Sequence, residues 1–155
     1  MTAIPALIGF LVLSFLAAAA GAFSPPGDWY ETLAKPSWTP PGWLFGPVWT
    51  ALYAMIGVSA WLVWRDHGSD AIRWALVLWG VQLALNAAWS PVFFGMHQPG
   101  AAAVIIVAMW CAILATIVAF WPLQRAASLL LVPYLLWVTF ATALNVSIWR
   151  LNAGG

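Results

Sequence analysis

Long apolar runs separated by short polar connections occupy most of the chain. Five runs reach the roughly 20 residues that a helix needs to cross a membrane, at residues 4–23, 43–64, 71–94, 100–121 and 126–149. Buried strands fail as an alternative, because the runs are too long and an open sheet in lipid would leave its edge groups without partners. The pattern predicts an all-α membrane protein, a five-transmembrane-helix bundle forming a single domain over residues 1–155.

The distribution of charge limits the chemistry. Only 6% of residues are charged, against roughly a quarter in soluble domains, and the four carboxylates, Asp28, Glu31, Asp66 and Asp70, all lie in predicted connections. Ion-coupled carriers usually need an acidic residue inside the membrane, and no metal-ligand cluster, catalytic triad or phosphate loop occurs. We therefore expect no required cofactor, and the net charge of +1 suggests no nucleic-acid partner.

The basic residues weakly specify an orientation. Arg65, Arg73 and Arg125 fall on the N-terminal side of the membrane, and Lys35 and Arg150 fall on the other. The positive-inside rule then places the N-terminus inside by three residues against two. This margin leaves the orientation open, as well as the choice between an inner and an outer membrane.

Thirteen tryptophans are more than an interfacial belt explains. Five of them lie deep in the predicted spans: Trp49, Trp79, Trp89, Trp110 and Trp137. Indole faces around a cavity suit a flat, largely apolar ligand with a few polar edges. The connection at residues 24–42 carries five prolines that stiffen it, so we interpret it as a lid over such a pocket. A loop whose indoles rest among lipid headgroups is the alternative.

Two helix faces combine amides with indoles. By helical spacing, one face carries Gln82, Asn86, Trp89 and Ser90, and the other carries Trp137, Ala141, Leu144 and Asn145. An amide in hydrocarbon needs a hydrogen-bond partner. The sequence leaves open whether Asn86 and Asn145 find that partner on a neighbouring helix or on a ligand.

Small residues recur along two predicted helices. One stripe consists of Ala108, Ala112, Ala115 and Ala119, and the first span offers Ala17 with Gly21. Such stripes allow close helix approach. They are compatible with packing inside the bundle and with a homodimer face.

Several ordered motifs resemble one known family. They are KPSW-x-PP-x-W at 35–43, FGPVWT-x-LY at 45–53, Q-x-x-x-N-x-x-W at 82–89, FFG at 93–95 and PY-x-x-W-x-x-FA-x-x-LN at 133–145. Together they resemble the translocator protein family, also called tryptophan-rich sensory proteins or peripheral benzodiazepine receptors. Since the chain is short and lacks a long basic tail, it looks like a bacterial member located in the cell envelope.

The resemblance implies a five-helix bundle, commonly a homodimer in contact with membrane lipid, with a pocket beneath the first loop. It implies binding of porphyrins such as protoporphyrin IX and of related flat hydrophobic ligands. The family's pocket residues carry over to Trp38, Phe45, Gly46, Val48, Trp49, Tyr53, Asn86, Trp89, Trp137, Ala141 and Leu144.

The resulting expectation is a membrane receptor or sensor with a role in tetrapyrrole regulation or transport. The alternatives are photo-oxidative porphyrin degradation involving Trp49 and Trp137, and a porphyrin or lipid transporter. The absence of an acid–base constellation argues against an enzyme. Three features depart from the family pattern. Tyr134 has no basic residue after it before Arg150, which disfavours sterol binding. Ala101 and Ala102 stand where animal relatives place a Trp near the start of the fourth helix, and Thr139 stands where relatives often carry Ala at a packed position.

Overall fold

The computed structural model describes residues 3–153 and confirms the five-helix bundle. Its helices are α1 (Ala3–Ala22), α2 (Asp28–Thr32), α3 (Phe45–Asp66), α4 (Ser69–Ser90), α5 (Pro99–Phe120), α6 (Arg125–Leu130) and α7 (Val132–Asn152). A 3₁₀ turn (Gly42–Leu44) leads into α3, and a π-helical turn (Pro91–Gly95) extends α4. Five helical segments are long and apolar enough to cross a membrane, the fifth combining α6 and α7.

Two prolines interrupt the predicted spans. The fifth predicted span, 126–149, lies within one membrane-crossing segment, Arg125–Asn152, which is divided at Leu131 into α6 and α7. Pro133 lacks an N–H group and its ring clashes with the carbonyl four residues before it, which explains the break. At the end of α4, Pro91 opens a π turn in which the Met96 N–H donates to the Pro91 carbonyl at 2.8 Å.

The spanning helices form a closed ring. The first helix, α1, packs against α3 and α4; α4 packs against α5, α5 against α7, and α6 against α3. α1 and α3 approach each other closely at Gly57, where an added Cβ would lie 3.1 Å from the Leu11 Cα. The core inside the ring contains Ile56, Trp79, Met109, Ile113, Phe120, Tyr134 and Val138.

The two ends of the ring differ in how α3 meets the fifth span. We call the end that carries residues 23–44 and 96–98 the lid end, and the end that carries residues 67–68 and 121–124 the base end. At the base end α3 packs extensively against α6, whereas it meets α7 only sparsely. The backbones of α3 and α7 are therefore farther apart toward the lid end, and we call the ring-filled region between them the gap.

The base end is closed by small buried side chains and polar contacts. Ala127 of α6 is fully buried, and the Ser128 hydroxyl donates to the Ile117 carbonyl at 2.7 Å. The connections also meet, since the Gln124 amide donates to the Asp66 carboxylate and the His67 ring contacts the Leu123 carbonyl. Contacts through Ser128, Gln124 and His67 therefore hold the helices together at this end of the bundle.

The small-residue stripes have different surroundings. Ala17 is buried in the core, and a Cβ at Gly21 would lie 3.4 Å from the Ser90 hydroxyl oxygen, so the α1 stripe packs inside the bundle. On α5, Ala112 is buried while Ala108 is exposed. The homodimer stays a prediction.

Candidate ligand-binding site

The connection between α1 and α3, which we call the lid, is fastened to the bundle at three points. The Trp29 ring stacks on His97, with centroids 4.3 Å apart and planes 5° from parallel. The Ala34 N–H donates to Asn152 Oδ1 at 3.0 Å, and Asn152 Nδ2 donates back to the Ala34 carbonyl at 2.9 Å. Further along, the Trp38 ring meets Phe140 of α7 edge to face at 5.6 Å. These contacts hold the lid over the wide end of the gap.

His97 takes a left-handed backbone conformation. Its φ angle is 55°, in a region that non-glycine residues seldom adopt but in which His, like Asn and Asp, is enriched. This conformation follows the π turn at the end of α4 and accompanies the stacking of His97 on Trp29. The stacking contact stabilises the conformation and fixes the start of the lid.

Beneath the first part of the lid lies a group of aromatic rings that we call the lid cluster. It consists of Trp29, Tyr30, Trp89, Phe93 and Phe94. Tyr30 meets Phe94 at 5.4 Å, and Trp89 stacks on Phe93 at 5.0 Å. Burial, together with neighbouring Glu31, raises the pKa of the Tyr30 phenol, so its ring is neutral where Lys35 lies 4.5 Å from its centroid. The lid is thus packed on the end of α4 by edge-to-face and stacked rings.

A second group, the deep cluster, lies between α3, α4 and α7, farther along α4 from the lid than the lid cluster. It consists of Trp49, Tyr53, Asn86, Tyr134 and Trp137. Trp49 stacks on Tyr53 at 5.4 Å and presents its edge to Tyr134 at 6.3 Å and to Trp137 at 6.4 Å. The indoles of α3 and α7 therefore meet edge to face between the two helices.

A buried chain of hydrogen bonds supports the deep cluster. The Tyr53 hydroxyl donates to Asn86 Oδ1 at 2.5 Å, and Asn86 Nδ2 donates to the Tyr134 hydroxyl at 2.8 Å. The Tyr134 hydroxyl in turn donates to Gln82 Oε1 at 2.7 Å. The alternative that the sequence left open for Asn86 is decided in favour of neighbouring helices. The chain also fixes the two phenol rings against which Trp49 rests.

The other amide of the pattern also bonds inside the bundle. Asn145 Oδ1 accepts from Trp89 Nε1 at 2.8 Å, and Asn145 Nδ2 donates to the Pro99 carbonyl at 2.9 Å. Trp137 differs from Trp89, because its Nε1 is buried and has no acceptor among residues 3–153. A buried N–H without a partner is costly, and the described residues contain one other such side-chain atom, Gln82 Nε2, at the end of the hydrogen-bonded chain.

The structure brings most of the predicted ligand-binding residues to two adjoining regions. Trp49, Tyr53, Asn86 and Trp137 form most of the deep cluster, and Phe45 joins them through its edge contact with Trp137 at 5.7 Å. Val48 and Ala141 pack against the main core. Trp89 and Leu144 pack around Phe93.

Two predicted residues lie apart from the deep cluster. Gly46 is exposed, and a Cβ added there would meet nothing within 4 Å. Trp38 is also exposed, at 46%, and lies on the lid. Trp49, Trp89 and Trp137 are each half-buried, with their rings on aromatic partners within the bundle.

A shallow, open surface cavity of about 510 Å³ lies at the lid end. Its walls are three lid residues and three residues near the end of α7, namely Pro36, Ser37, Trp38, Ser147, Arg150 and Leu151. Trp38 is the only predicted ligand-binding residue that reaches it.

Several residues of this region were not selected by the sequence analysis as ligand-binding residues. Phe140 lies between Trp38 and Trp137, with its ring 5.5 Å from that of Trp137. Phe93 and Tyr134 are almost fully buried at the centres of their groups. The available signal was spacing, since Phe140 lies three residues after Trp137 and Tyr134 three before it, on the same side of α7.

Two further features of the chemistry are defined by the structure. Within residues 3–153, no three His, Cys, Asp or Glu side chains are grouped so that they could hold a metal ion. Thr139 is exposed rather than packed, which corrects the expectation for this position. Its hydroxyl accepts from Trp110 Nε1 and donates to the Leu135 carbonyl, both at 2.8 Å, and so ties α5 to α7.

Comparison with known proteins agrees with this architecture. The TspO/MBR family model matches residues 1–150. Protein CrtK of Rhodobacter capsulatus is 42% identical over 146 residues, which cover 94% of this chain and 91% of the relative. Tryptophan-rich protein TspO of Chlorobaculum tepidum is 47% identical over 137 residues, covering 86% of this chain and 87% of the relative. The human translocator protein is 45% identical over 128 residues, covering 81% of this chain and 76% of the relative. This multi-pass integral membrane protein belongs to the TspO/MBR family.

Proposed function

We propose that the protein is a membrane receptor or sensor for porphyrins of the protoporphyrin IX type and for related flat hydrophobic ligands. The ligand would lie beneath the lid, in the gap between α3 and α7, and its binding would serve tetrapyrrole regulation or transport. Relatives named tryptophan-rich sensory protein and translocator protein support this class of function.

The observation that carries the proposal is the unpaired Trp137 Nε1–H between aromatic faces. Trp137 is surrounded by Phe45, Trp49 and Phe140, with ring centroids 5.5–6.4 Å from its own. A tetrapyrrole offers imine nitrogens and an extended π face, and both accept an N–H hydrogen bond. A flat ligand in the gap would accept a hydrogen bond from Trp137 Nε1–H and would pack against the surrounding rings.

The weak contact between α3 and α7 explains how such a guest would enter. The base end holds α3 to α6, whereas the lid end joins α3 to α7 mainly through aromatic edges. Separation of Trp49 from Trp137 would expose two indole faces without breaking a hydrogen bond between them. Ligand sites of this kind are mostly apolar with a few placed polar groups.

Titration of protoporphyrin IX into the protein in nanodiscs tests the proposal. The Soret absorbance of the porphyrin reports binding independently of the number of tryptophans. We expect Trp137→Ala to weaken binding by more than about tenfold, as for an aromatic anchor. Trp137→Phe keeps a ring but removes the donor, so we expect a smaller loss, about two- to tenfold.

The matched control is Trp74→Phe, because Trp74 lies at the base end and is 75% exposed. We expect this variant to bind as the original protein does. Equal affinity in the original protein and in Trp137→Ala would exclude a site between α3 and α7.

A further inference from the structure

One wall of the lid-end cavity carries a positively charged side chain, Arg150, that has no counter-ion among residues 3–153. Arg150 is exposed in the last turn of α7 and lines the cavity. Within residues 3–153, its guanidinium forms no ion pair and no hydrogen bond, and the ion pair that does occur, Arg65 with Asp66, lies at the base end. The lid carboxylates Asp28 and Glu31 do not reach it. A positive charge is therefore available at the cavity wall.

The surrounding groups suit an anionic group attached to an aromatic body. Ser37 and Ser147 line the same cavity and supply hydroxyl donors, while Trp38 supplies an indole face. A guanidinium presents parallel N–H donors that match the two oxygens of a carboxylate. Serine hydroxyls can donate to the remaining lone pairs.

A series of ring contacts that begins at Trp38 in the cavity wall leads to the deep cluster. The Trp38 ring contacts Phe140 at 5.6 Å, Phe140 contacts Trp137 at 5.5 Å, and Trp137 contacts Trp49 at 6.4 Å. A ligand with its flat part along these rings would reach the unpaired Trp137 donor at one end. Its other end would lie at the cavity beside Arg150.

We propose that the lid-end cavity is a carboxylate-binding subsite, in which Arg150 selects flat ligands that carry an acidic side chain. The inference rests on the proposed function and specifies its ligand class. Among tetrapyrroles, it predicts a preference for those with free propionate groups over their esters. The subsite orients the ligand with its acidic edge toward the lid and its hydrophobic edge toward the base.

The test compares protoporphyrin IX with its dimethyl ester in nanodiscs of zwitterionic lipid, followed by Soret absorbance. We expect Arg150→Gln to weaken binding of the diacid about fivefold, within the range of a partly exposed charge-assisted hydrogen bond. The diester should bind equally to both proteins. Arg150→Lys keeps the charge and should recover part of the lost affinity for the diacid.

Arg73→Gln is the matched control, since Arg73 is also exposed but belongs to the base-end half of α4. It should leave the affinities for diacid and diester unchanged. If Arg150→Gln leaves the diacid-to-diester affinity ratio unchanged, the subsite is disproved while the proposed function stands. Failure of both porphyrins to bind the original protein would instead disprove the proposed function.

A lipid headgroup offers the same anionic chemistry, so a second arm uses nanodiscs with anionic lipid. We expect the diacid preference of the original protein to persist there, because the rings from Trp38 to Trp137 position the ligand so that its carboxylate lies beside Arg150. Loss of the preference on adding anionic lipid would assign Arg150 to the lipid and overturn the inference.

Discussion

The lid end and the base end of the bundle are built from different contacts. At the base end, Ala127 allows α6 to lie against α3, and side chains of Gln124 and Ser128 bond across the helices. At the lid end, α3 and α7 meet mainly through the rings of Phe45, Trp49 and Trp137. One end combines small residues with polar contacts, and the other combines large rings with an unpaired donor.

The difference shows how a small membrane bundle can have a stable frame and an adaptable site. At the base end, the hydrogen bond of buried Ser128 and the close packing around Ala127 oppose separation of the helices, since the protein interior supplies no substitute partners. Aromatic edges at the lid end tolerate sliding, because ring pairs have several favourable geometries. We therefore expect perturbations at the base end to affect stability and perturbations at the lid end to affect lid closure and binding.

The largest effect is expected from filling the base-end contact. Ala127→Leu would add three carbons where the side chain is fully buried against α3 and α5. Overpacking of this kind typically costs about 1–3 kcal/mol, so the midpoint of thermal unfolding should fall. Ala126→Leu is the control, because neighbouring Ala126 is exposed. Equal midpoints for both variants would contradict the close packing of α6 on α3.

An intermediate effect is expected at the lid. Asn152→Ala removes both hydrogen bonds to the Ala34 backbone. A net loss of about 1 kcal/mol would speed hydrogen exchange of the Ala34 amide about fivefold. Asn152→Asp keeps the acceptor and should give a smaller increase. Amides of the base end serve as the internal control, and a matching increase there would show that the effect is not local to the lid.

The smallest effect is expected from the helix caps. Gln124 caps α6 at the base end by accepting from the Ala126 N–H at 3.1 Å, whereas Gln98 at the start of α5 makes no such side-chain bond. Gln124→Ala should destabilise the protein by about 0.5–1 kcal/mol, measured by thermal unfolding. Gln98→Ala should have no measurable effect. A larger effect at Gln98 would reverse the proposed difference between the two ends.

Hydropathy and length were sufficient to predict the five spans, because crossing lipid leaves few alternatives to a long apolar helix. Three details were missed. The short helix Asp28–Thr32 has too few residues to show a period, and the π turn at Pro91 depends on local backbone bonding. The break at Leu131 was predictable in principle, since Pro133 lies inside an otherwise helical pattern.

Helical spacing grouped Trp89 with Asn86 on α4 and Trp137 with Ala141 on α7, but it could not predict which neighbours these residues meet. The spacing of Asn86 on α4 says nothing about the phenols of Tyr53 and Tyr134, which arrive from other helices. The Arg150 cavity was missed for the same reason, because the lid and α7 are far apart in sequence. Contacts between distant segments depend on the order in which the helices are arranged around the bundle. The periodicity of a single helix gives no information about that order.

The break at Leu131 gives the fifth span a hinge between α6, fixed to the base, and α7, which carries Phe140, Trp137 and Arg150. Pro133 supplies no N–H here, so bending at this point disrupts fewer backbone hydrogen bonds than bending a continuous helix would. Rotation of α7 by a few degrees about this hinge would widen the gap at its far end. Under the proposed function, this rotation would let the gap accommodate ligands of different thickness while α6 and the base end stay in place.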